Sequence, residues 1–238
     1  MKPKNKRYSR QIKLKEVGNK KQSLLQKKKV LIVGCGGLGS AAAELLLRAG
    51  VEDLILMDQD KIELTNLGRQ LLYDEKDVGR YKVNAAKEKL LKINSNAKIS
   101  VKNDFLTQKN ISILNQADLI LDCTDNLETR FWINVYCYKH KIPWIYASAI
   151  RWEGYVMLIQ PNSACLSCFL RQESSENCNQ QGIISPLPTT IASLQATLAL
   201  RFLFGEKMES LLYRLDLKNM KLIEMKVKKN KGCLTCSH

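Results

Sequence analysis

The run LIVGCGGLGS at residues 31–40 constrains this chain more than any other feature. An apolar, strand-like segment leads straight into Gly34-x-Gly36-Gly37-x-Gly39, and an alanine-rich, helix-like segment follows over residues 40–49. Glycines at a strand end permit positive φ and let the backbone approach phosphate oxygens. The free N–H groups and positive dipole end of the next helix attract them. Asp58 closes the next apolar run, LILM, nineteen residues after Gly39. A carboxylate at that spacing typically accepts hydrogen bonds from ribose hydroxyls. The pair of signals fits any dinucleotide-binding unit, including that of an NAD-dependent oxidoreductase.

The residues after Asp58 depart from the oxidoreductase pattern. Asp60, Asn66, Arg69 and Gln70 lie within a dozen residues of it, and Lys82 comes next in DVGRYK. Cleaving ATP requires cations and amide donors to spread triphosphate charge, and carboxylates to hold Mg²⁺; hydride transfer requires neither. With no GxxxxGK[ST] in the chain, the phosphates would be held by Arg and Lys from outside the turn. Solvated surface charge explains Arg69 or Lys82 singly, as for most such residues. It explains the whole string less well.

RYSRQI at 7–12, GCGGLG at 34–39, the DxD at 58–60, NLGRQ at 66–70, the lysine of GRYK at 82 and DCTDN at 122–126 occur in order over nearly the whole chain. Together they resemble the ThiF/MoeB/HesA family of the ubiquitin-activating-enzyme superfamily. The resemblance implies an ATP- and Mg²⁺-dependent adenylyltransferase acting on the C-terminal glycine carboxylate of a ubiquitin-like protein, usually a sulfur carrier ending in Gly-Gly. Carried over by position, it gives the turn at Gly34, Gly36, Gly37 and Gly39 to the nucleotide, Asp58 to the ribose, and Asn66, Arg69 and Lys82 to the phosphates. Asp125 goes to Mg²⁺, and Asp60, Gln70 and Asn126 complete the nucleotide set. Arg10 resembles an arginine that reaches into the neighbouring subunit's ATP site, which implies a homodimer. The residues give Asp125 a physical rationale of its own, at the carboxyl end of the apolar run ADLILDC, where ligands of open α/β sheets sit. The alternative for Asp125 is the N-cap of the helix starting near residue 127. One departure concerns Lys82, since the family's G-x-P-K reads G-R-Y-K here. Tyr81 therefore lacks proline's restraint on φ.

The chain has two histidines, His140 and His238, so an imidazole base is not expected, and His140 reads as a surface residue of a helix ending near Lys141. Attack by a glycine carboxylate needs no base, because that group is already ionised at neutral pH. Alignment and charge neutralisation remain as the catalytic task.

Eight cysteines are present without an apolar secretory segment at the amino terminus, which points to a cytoplasmic, reduced setting in which spacing is read as metal or catalysis first. Cys165-Leu-Ser-Cys168 and Cys233-Leu-Thr-Cys236 describe a closed four-thiolate structural Zn²⁺ site, stapling the C-terminal segment back onto the chain; a redox dithiol is the competing reading. Cys35, Cys123 and Cys137 sit in apolar surroundings and read as inert small hydrophobes. Cys178 lies in the polar stretch RQESSENCNQQG. In some members of the resembling family a cysteine of this loop bonds covalently to the carrier, so Cys178 is either that catalytic group or an exposed cysteine without a role.

Apolar runs at 30–33, 54–57, 99–101, 119–121 and 144–147 alternate with helix-like segments at 82–93 and 127–139, predicting an α/β fold with a Rossmann-like, doubly wound, mostly parallel sheet. After residue 149 the pattern turns antiparallel, with a long apolar helix around 190–204 and strands in LLYRLDL and MKLIEMKV. The expected division is a basic arm and helix over 1–29, an ATP-binding core over 30–160, and a zinc-stapled part over 161–238. No apolar run is long enough to span a bilayer. The formal charge of +15 comes from the ends: residues 1–29 hold twelve Lys/Arg against one Glu, residues 214–238 seven against two acids, and the body is nearly neutral. Such arms fit nonspecific nucleic-acid contact, attraction of an acidic carrier, or solvated lysines. The absence of interleaved aromatics or a DNA-binding motif speaks against the first. The last cysteine pair lies two residues from the end, so the expected sulfur donor is a separate protein. A module that binds a ubiquitin-like partner without activating it remains the non-enzymatic alternative.

Overall fold

The computed structural model describes residues 6–170 and 182–237. Strands β1 (Lys29–Val33), β2 (Asp53–Met57), β3 (Lys98–Lys102), β4 (Leu119–Asp122) and β5 (Trp144–Ile150) run parallel, and β6 (Glu153–Ile159), β7 (Leu211–Asp216) and β8 (Lys221–Lys226) extend the sheet in antiparallel fashion. The order is β3-β2-β1-β4-β5-β6-β7-β8. The expected mostly parallel sheet with an antiparallel C-terminal part is thus observed.

Strands β1, β2 and β4 are buried on both faces along nearly their whole length, which is why each reads as a continuous apolar run. The edge strand β3 alternates instead, with Ile99 buried between exposed Lys98 and Ser100. Leu54 and Leu56 join one core layer with helices α3 (Gly37–Ala49), α4 (Lys82–Ile93) and α6 (Pro186–Leu203), while Ile55 and Met57 join the layer containing α5 (Leu127–His140). Complete burial of one such leucine contributes roughly 1.5–3 kcal/mol. The chain enters through two short helices, α1 (Ser9–Ile12) and α2 (Gly18–Leu25).

Two helix starts differ from expectation. Helix α3 begins at Gly37 rather than residue 40, because the glycines of the turn also form its first turn. Helix α6 begins at Pro186, ahead of residue 190; Pro186 and Pro188 fit there because the first turn of a helix needs no intrahelical N–H donors. None of the described helices is long and apolar enough to cross a membrane.

Topology places the site. Val33 at the end of β1 pairs with Met57 of β2 on one side and with Asp122 of β4 on the other. The next residues on all three strands therefore emerge side by side, where the winding of the sheet reverses and ligands of such sheets bind.

Candidate active site

Gly34 leaves β1 with φ +92°, and a Cβ there would lie 2.7 Å from the Cys123 carbonyl oxygen. A Cβ on Gly39 would fall 1.8 Å from the Gly34 oxygen. The first turn of α3 thus presses directly on the strand end, with Gly36 as its N-cap. With no capping side chain bonded to it among the described residues, this helix end leaves its N–H groups to an approaching anion.

Asp58 locks the second strand end to this turn. Its carboxylate accepts from the backbone N–H of Cys35 at 2.6 Å and of Asp60 at 2.7 Å. Burial pushes the carboxyl above its ordinary range, while the nearby Lys82 charge and these two N–H groups pull it back.

Lys82 opens α4, mostly buried, with Nζ 2.8 Å from Asp60 Oδ2. The preceding Tyr81 has φ −64° and ψ 133°, so it adopts the φ a proline would impose. Backbone pairing supplies the restraint instead. Lys82 N–H donates to the Asp60 carbonyl at 2.9 Å, Ile62 N–H donates to the Arg80 carbonyl at 2.9 Å, and Lys61 Nζ lies 5.1 Å from the centre of the Tyr81 ring. Below this bridge, buried Asp77 pairs with Arg80 at 2.9 Å and Lys89 at 2.8 Å.

Between the two strand ends runs the NLGRQ segment. Asn66 Oδ1 accepts from Glu63 N–H at 3.2 Å, and Arg69 donates to the Thr65 carbonyl at 3.1 Å. Gln70 is buried beside Gly36, and its Oε1 lacks a hydrogen-bond partner among the described residues. Leaving a buried acceptor without a partner costs about 1–3 kcal/mol, and Gln70 faces the cleft, where a ligand donor could satisfy it.

The DCTDN segment leaves β4 at the same rim. Asp122 is fully buried and accepts from both the N–H and the hydroxyl of Thr124. Burial pushes its carboxyl up, and Arg130 with Thr124 opposes that shift. The helix cap belongs to Asn126, whose side chain accepts from Thr129 N–H at 2.9 Å, rather than to Asp125. Asp125 is exposed one residue before the cap.

A cleft of about 1210 Å³ joins these parts; Gly34, Gly36, Gly37, Asp58, Asp60, Asn66, Arg69, Gln70, Lys82, Asp125 and Asn126 all line it. Its far wall holds residues that the motifs do not reveal. Arg130 is buried there, with Nε 3.3 Å from Asp122 Oδ2, its guanidinium donating to the Thr124 and Ala147 carbonyls and lying 5.3 Å from the Tyr146 ring centre. One signal in the sequence points to it: Arg130 shares the three-to-four spacing of Ile133 and Cys137 on the buried side of α5, where an arginine requires a counter-charge.

Other expected residues lie elsewhere. Arg10 is exposed on α1 and does not line the cleft. Cys178 lies outside the described residues. Cys35, Cys123 and Cys137 are buried, and burial pushes all three thiols up, away from the reactive thiolate. His140 is exposed and stacks on Tyr136 at 4.1 Å.

Cys165, Cys168, Cys233 and Cys236 converge, their Sγ atoms all within 4.8 Å of one another. The separations between Cys165 and Cys168, Cys165 and Cys233, and Cys168 and Cys236 are 4.0, 3.5 and 3.4 Å. A tetrahedron with ~2.3 Å metal–sulfur bonds has edges of about 3.8 Å. A disulfide is ~2.05 Å. The four thiols therefore fit one Zn²⁺ and do not fit disulfides. Asn134 Oδ1 accepts from Leu166 N–H at 2.9 Å, and Tyr138 donates to the Cys236 carbonyl at 3.1 Å.

The model of the ThiF family matches residues 8–235. The chain is 37% identical to the molybdopterin-synthase adenylyltransferase of Escherichia coli (strain K12), over 97% of this chain and 95% of that protein. It is 35% identical to the sulfur carrier protein ThiS adenylyltransferase of the same organism, over 97% and 94%. Among solved structures, E. coli MccB with AMPCPP and MccA superposes with a TM-score of 0.84 at 27% identity, covering 98% of this chain and 74% of that one.

Proposed function

Because the chain belongs to the ThiF family, we propose that it uses ATP to adenylate the C-terminal glycine carboxylate of a ubiquitin-like sulfur carrier protein, releasing pyrophosphate. The observation that carries this reading is the cleft in which a ribose-type carboxylate, an amide, two cations of the string and an exposed carboxylate meet at a glycine turn. The relatives named as adenylyltransferases for molybdopterin synthase and for ThiS support the same class, and their similar identities leave both kinds of carrier as candidates.

In this reading Asp58 accepts from the ribose hydroxyls, already held by the N–H groups of Cys35 and Asp60. The turn of Gly34, Gly36, Gly37 and Gly39 offers backbone N–H groups to phosphate oxygens. Asn66, Arg69, Gln70 and Lys82 would hold the phosphates and stabilise the charge that passes to pyrophosphate as it leaves. Asp60 keeps Lys82 Nζ at the cleft wall. Asp125, with Asn126 beside it, would hold Mg²⁺, which screens the phosphate oxygens from the incoming carboxylate. The carrier's carboxylate oxygen attacks the α-phosphorus, the bond to the β-phosphate bridging oxygen breaks, and no proton has to be moved.

Arg10 completes the site from a second copy. Its support is positional: Tyr8 and Gln11, on either side of it, bind Glu52 and the Ala49 carbonyl at the end of α3 farthest from the glycine turn. Thirteen residues of helix separate those ends by about 20 Å. Own-chain Arg10 is thus remote from its own cleft, and a homodimer places it in the neighbour's. The four cysteines hold a structural Zn²⁺, and Cys178 remains the candidate for covalent chemistry with the carrier after adenylation, sulfur arriving from a separate protein.

Carrier-dependent exchange of labelled pyrophosphate into ATP tests the reading. Exchange with a Gly-Gly carrier, and none with a carrier lacking its last glycine, is the expected result. Nicotinamide binding without exchange would identify an oxidoreductase, and tight carrier binding without exchange a non-catalytic binding module.

A further inference from the structure

Helix α5 carries a polar line that neither the cleft nor the cysteine cluster explains alone. Asn126, Arg130, Asn134 and Tyr138 recur every four residues along it, and each makes a different bond outside or at the end of the helix. Asn126 caps the helix at the cleft rim, and Arg130 holds the Thr124 and Ala147 carbonyls and pairs with Asp122. Asn134 is fully buried; besides accepting from Leu166 N–H, it donates to Ser167 Oγ at 3.0 Å, inside the first cysteine loop. Ser167 Oγ lies 3.1 Å from Thr235 Oγ1 in the second loop, and Tyr138 donates to the Cys236 carbonyl in that same loop.

The arrangement is a continuous set of directional bonds. Both cysteine loops attach to the helix through Asn134 and Tyr138, and the same helix, two turns earlier, fixes the loop bearing Asp125. Twelve residues of helix rise about 18 Å, so the two centres are joined by a rigid element rather than by contact. Outer partners of metal ligands orient those ligands and typically change metal affinity 10–100-fold when removed. Here the outer partner is also a strut of the cleft.

We propose that Asn134 is a positioning residue coupling the four-thiolate site to the nucleotide cleft, so that metal bound at the cysteines strengthens nucleotide binding. This rests on the ATP reading of the cleft. Without metal no metal–sulfur bonds tie the two cysteine loops together; when the loops part, Leu166 N–H and Ser167 Oγ leave Asn134, and α5 loses the anchor that sets Asn126 and Arg130 against the rim. Coupling between binding sites is reciprocal, so Mg·ATP must tighten metal binding by the same factor.

The test is a chelator competition for Zn²⁺ on the full chain, with and without Mg²⁺ and a non-hydrolysable ATP analogue, beside analogue binding to zinc-loaded and zinc-depleted protein. Coupling of about 5-fold or more, equal in both directions, is expected. Asn134→Asp keeps the acceptor for Leu166 N–H and loses the donor to Ser167, and Ser167→Ala removes both the thread between the loops and the acceptor for Asn134 while leaving the sequence of α5 unchanged. Both should bind zinc and analogue with the coupling reduced toward one. Equal analogue affinity with and without zinc in the unmodified chain would overturn the proposal, as would undiminished coupling in both folded variants. Failure of the analogue to bind any form would instead refute the ATP reading.

Discussion

The two ends of helix α3 use glycine for opposite purposes. At the front, Gly34 and Gly39 bring backbone against backbone, and the volume beyond them stays open as the cleft. At the back, Gly50 has φ +111°, and a Cβ there would lie 2.3 Å from Gln22 Nε2 and 3.3 Å from the Tyr8 ring, so arm side chains fill the space. Polar groups differ in the same way. At the back Tyr8 donates to Glu52, Gln26 donates to the same carboxylate oxygen, and Gln11 and Gln22 both donate to the Ala49 carbonyl. At the front Gln70 Oε1 has no partner among the described residues, and burial raises the pKa of Asp58. At the back the polar side chains bind one another and the helix end, whereas at the front Gln70 faces the cleft.

The contrast can be broken most severely from the front. Lys82→Ala should lower pyrophosphate exchange by about 100-fold or more while thermal unfolding changes little, since a donor aimed at developing charge is worth roughly 2.7–4 kcal/mol. Unimpaired exchange in that variant would remove Lys82 from the chemistry. Arg10→Ala should fail alone but recover in part when mixed with Lys82→Ala chains, because one hybrid site is then intact; no recovery in verified mixed dimers would place Arg10 elsewhere.

Gly50→Ala attacks the back. Strain at positive φ together with displacement of Gln22 should lower stability by about 1–3 kcal/mol, measured by denaturant unfolding, with nucleotide affinity per folded molecule retained. Tyr8→Phe leaves Glu52 with the Gln26 bond and should cost about 1 kcal/mol. An affinity loss from either change equal to the stability loss would mean that the two ends are not separable.

Asp58→Asn sharpens the contrast through pH. A carboxyl whose folded pKa is raised binds more protons folded than unfolded between its ordinary and raised values, so its contribution to stability falls as pH rises through that window. Asp58→Asn removes this titration but keeps only one of the two N–H acceptors, so it should lose nucleotide and about 1–3 kcal/mol of stability, with its stability relative to the unmodified chain falling further on acidification. A variant whose relative stability instead grows on acidification would mean that Asp58 is held mainly by its hydrogen bonds.

Legibility followed the same division. The central strands were readable because burial on both faces leaves unbroken apolar runs, and the cysteine cluster because two CxxC loops suit one ion. Asn134 and Tyr138 were not, since their meaning depends on loops distant in sequence that no local pattern names; for Arg130 the helical spacing with Ile133 and Cys137 signals burial but not the carbonyls it holds. Proline's absence at Tyr81 overstated the risk to Lys82, because the restraint on φ came from a bridge to Lys61. The cap weighed for Asp125 fell one residue later, and its motif was silent on that choice.

The cysteine cluster also has an order in time. Cys168 and Cys233 lie 65 residues apart in the chain, so at 5–20 residues per second the first loop waits about 3–13 seconds for the second to be made. Throughout that interval its two thiols are a half-site, able to take a metal that prefers two sulfurs or to meet an oxidant. If the four thiols take up one ion, the first pair meets the available metals and oxidants before its counterpart exists.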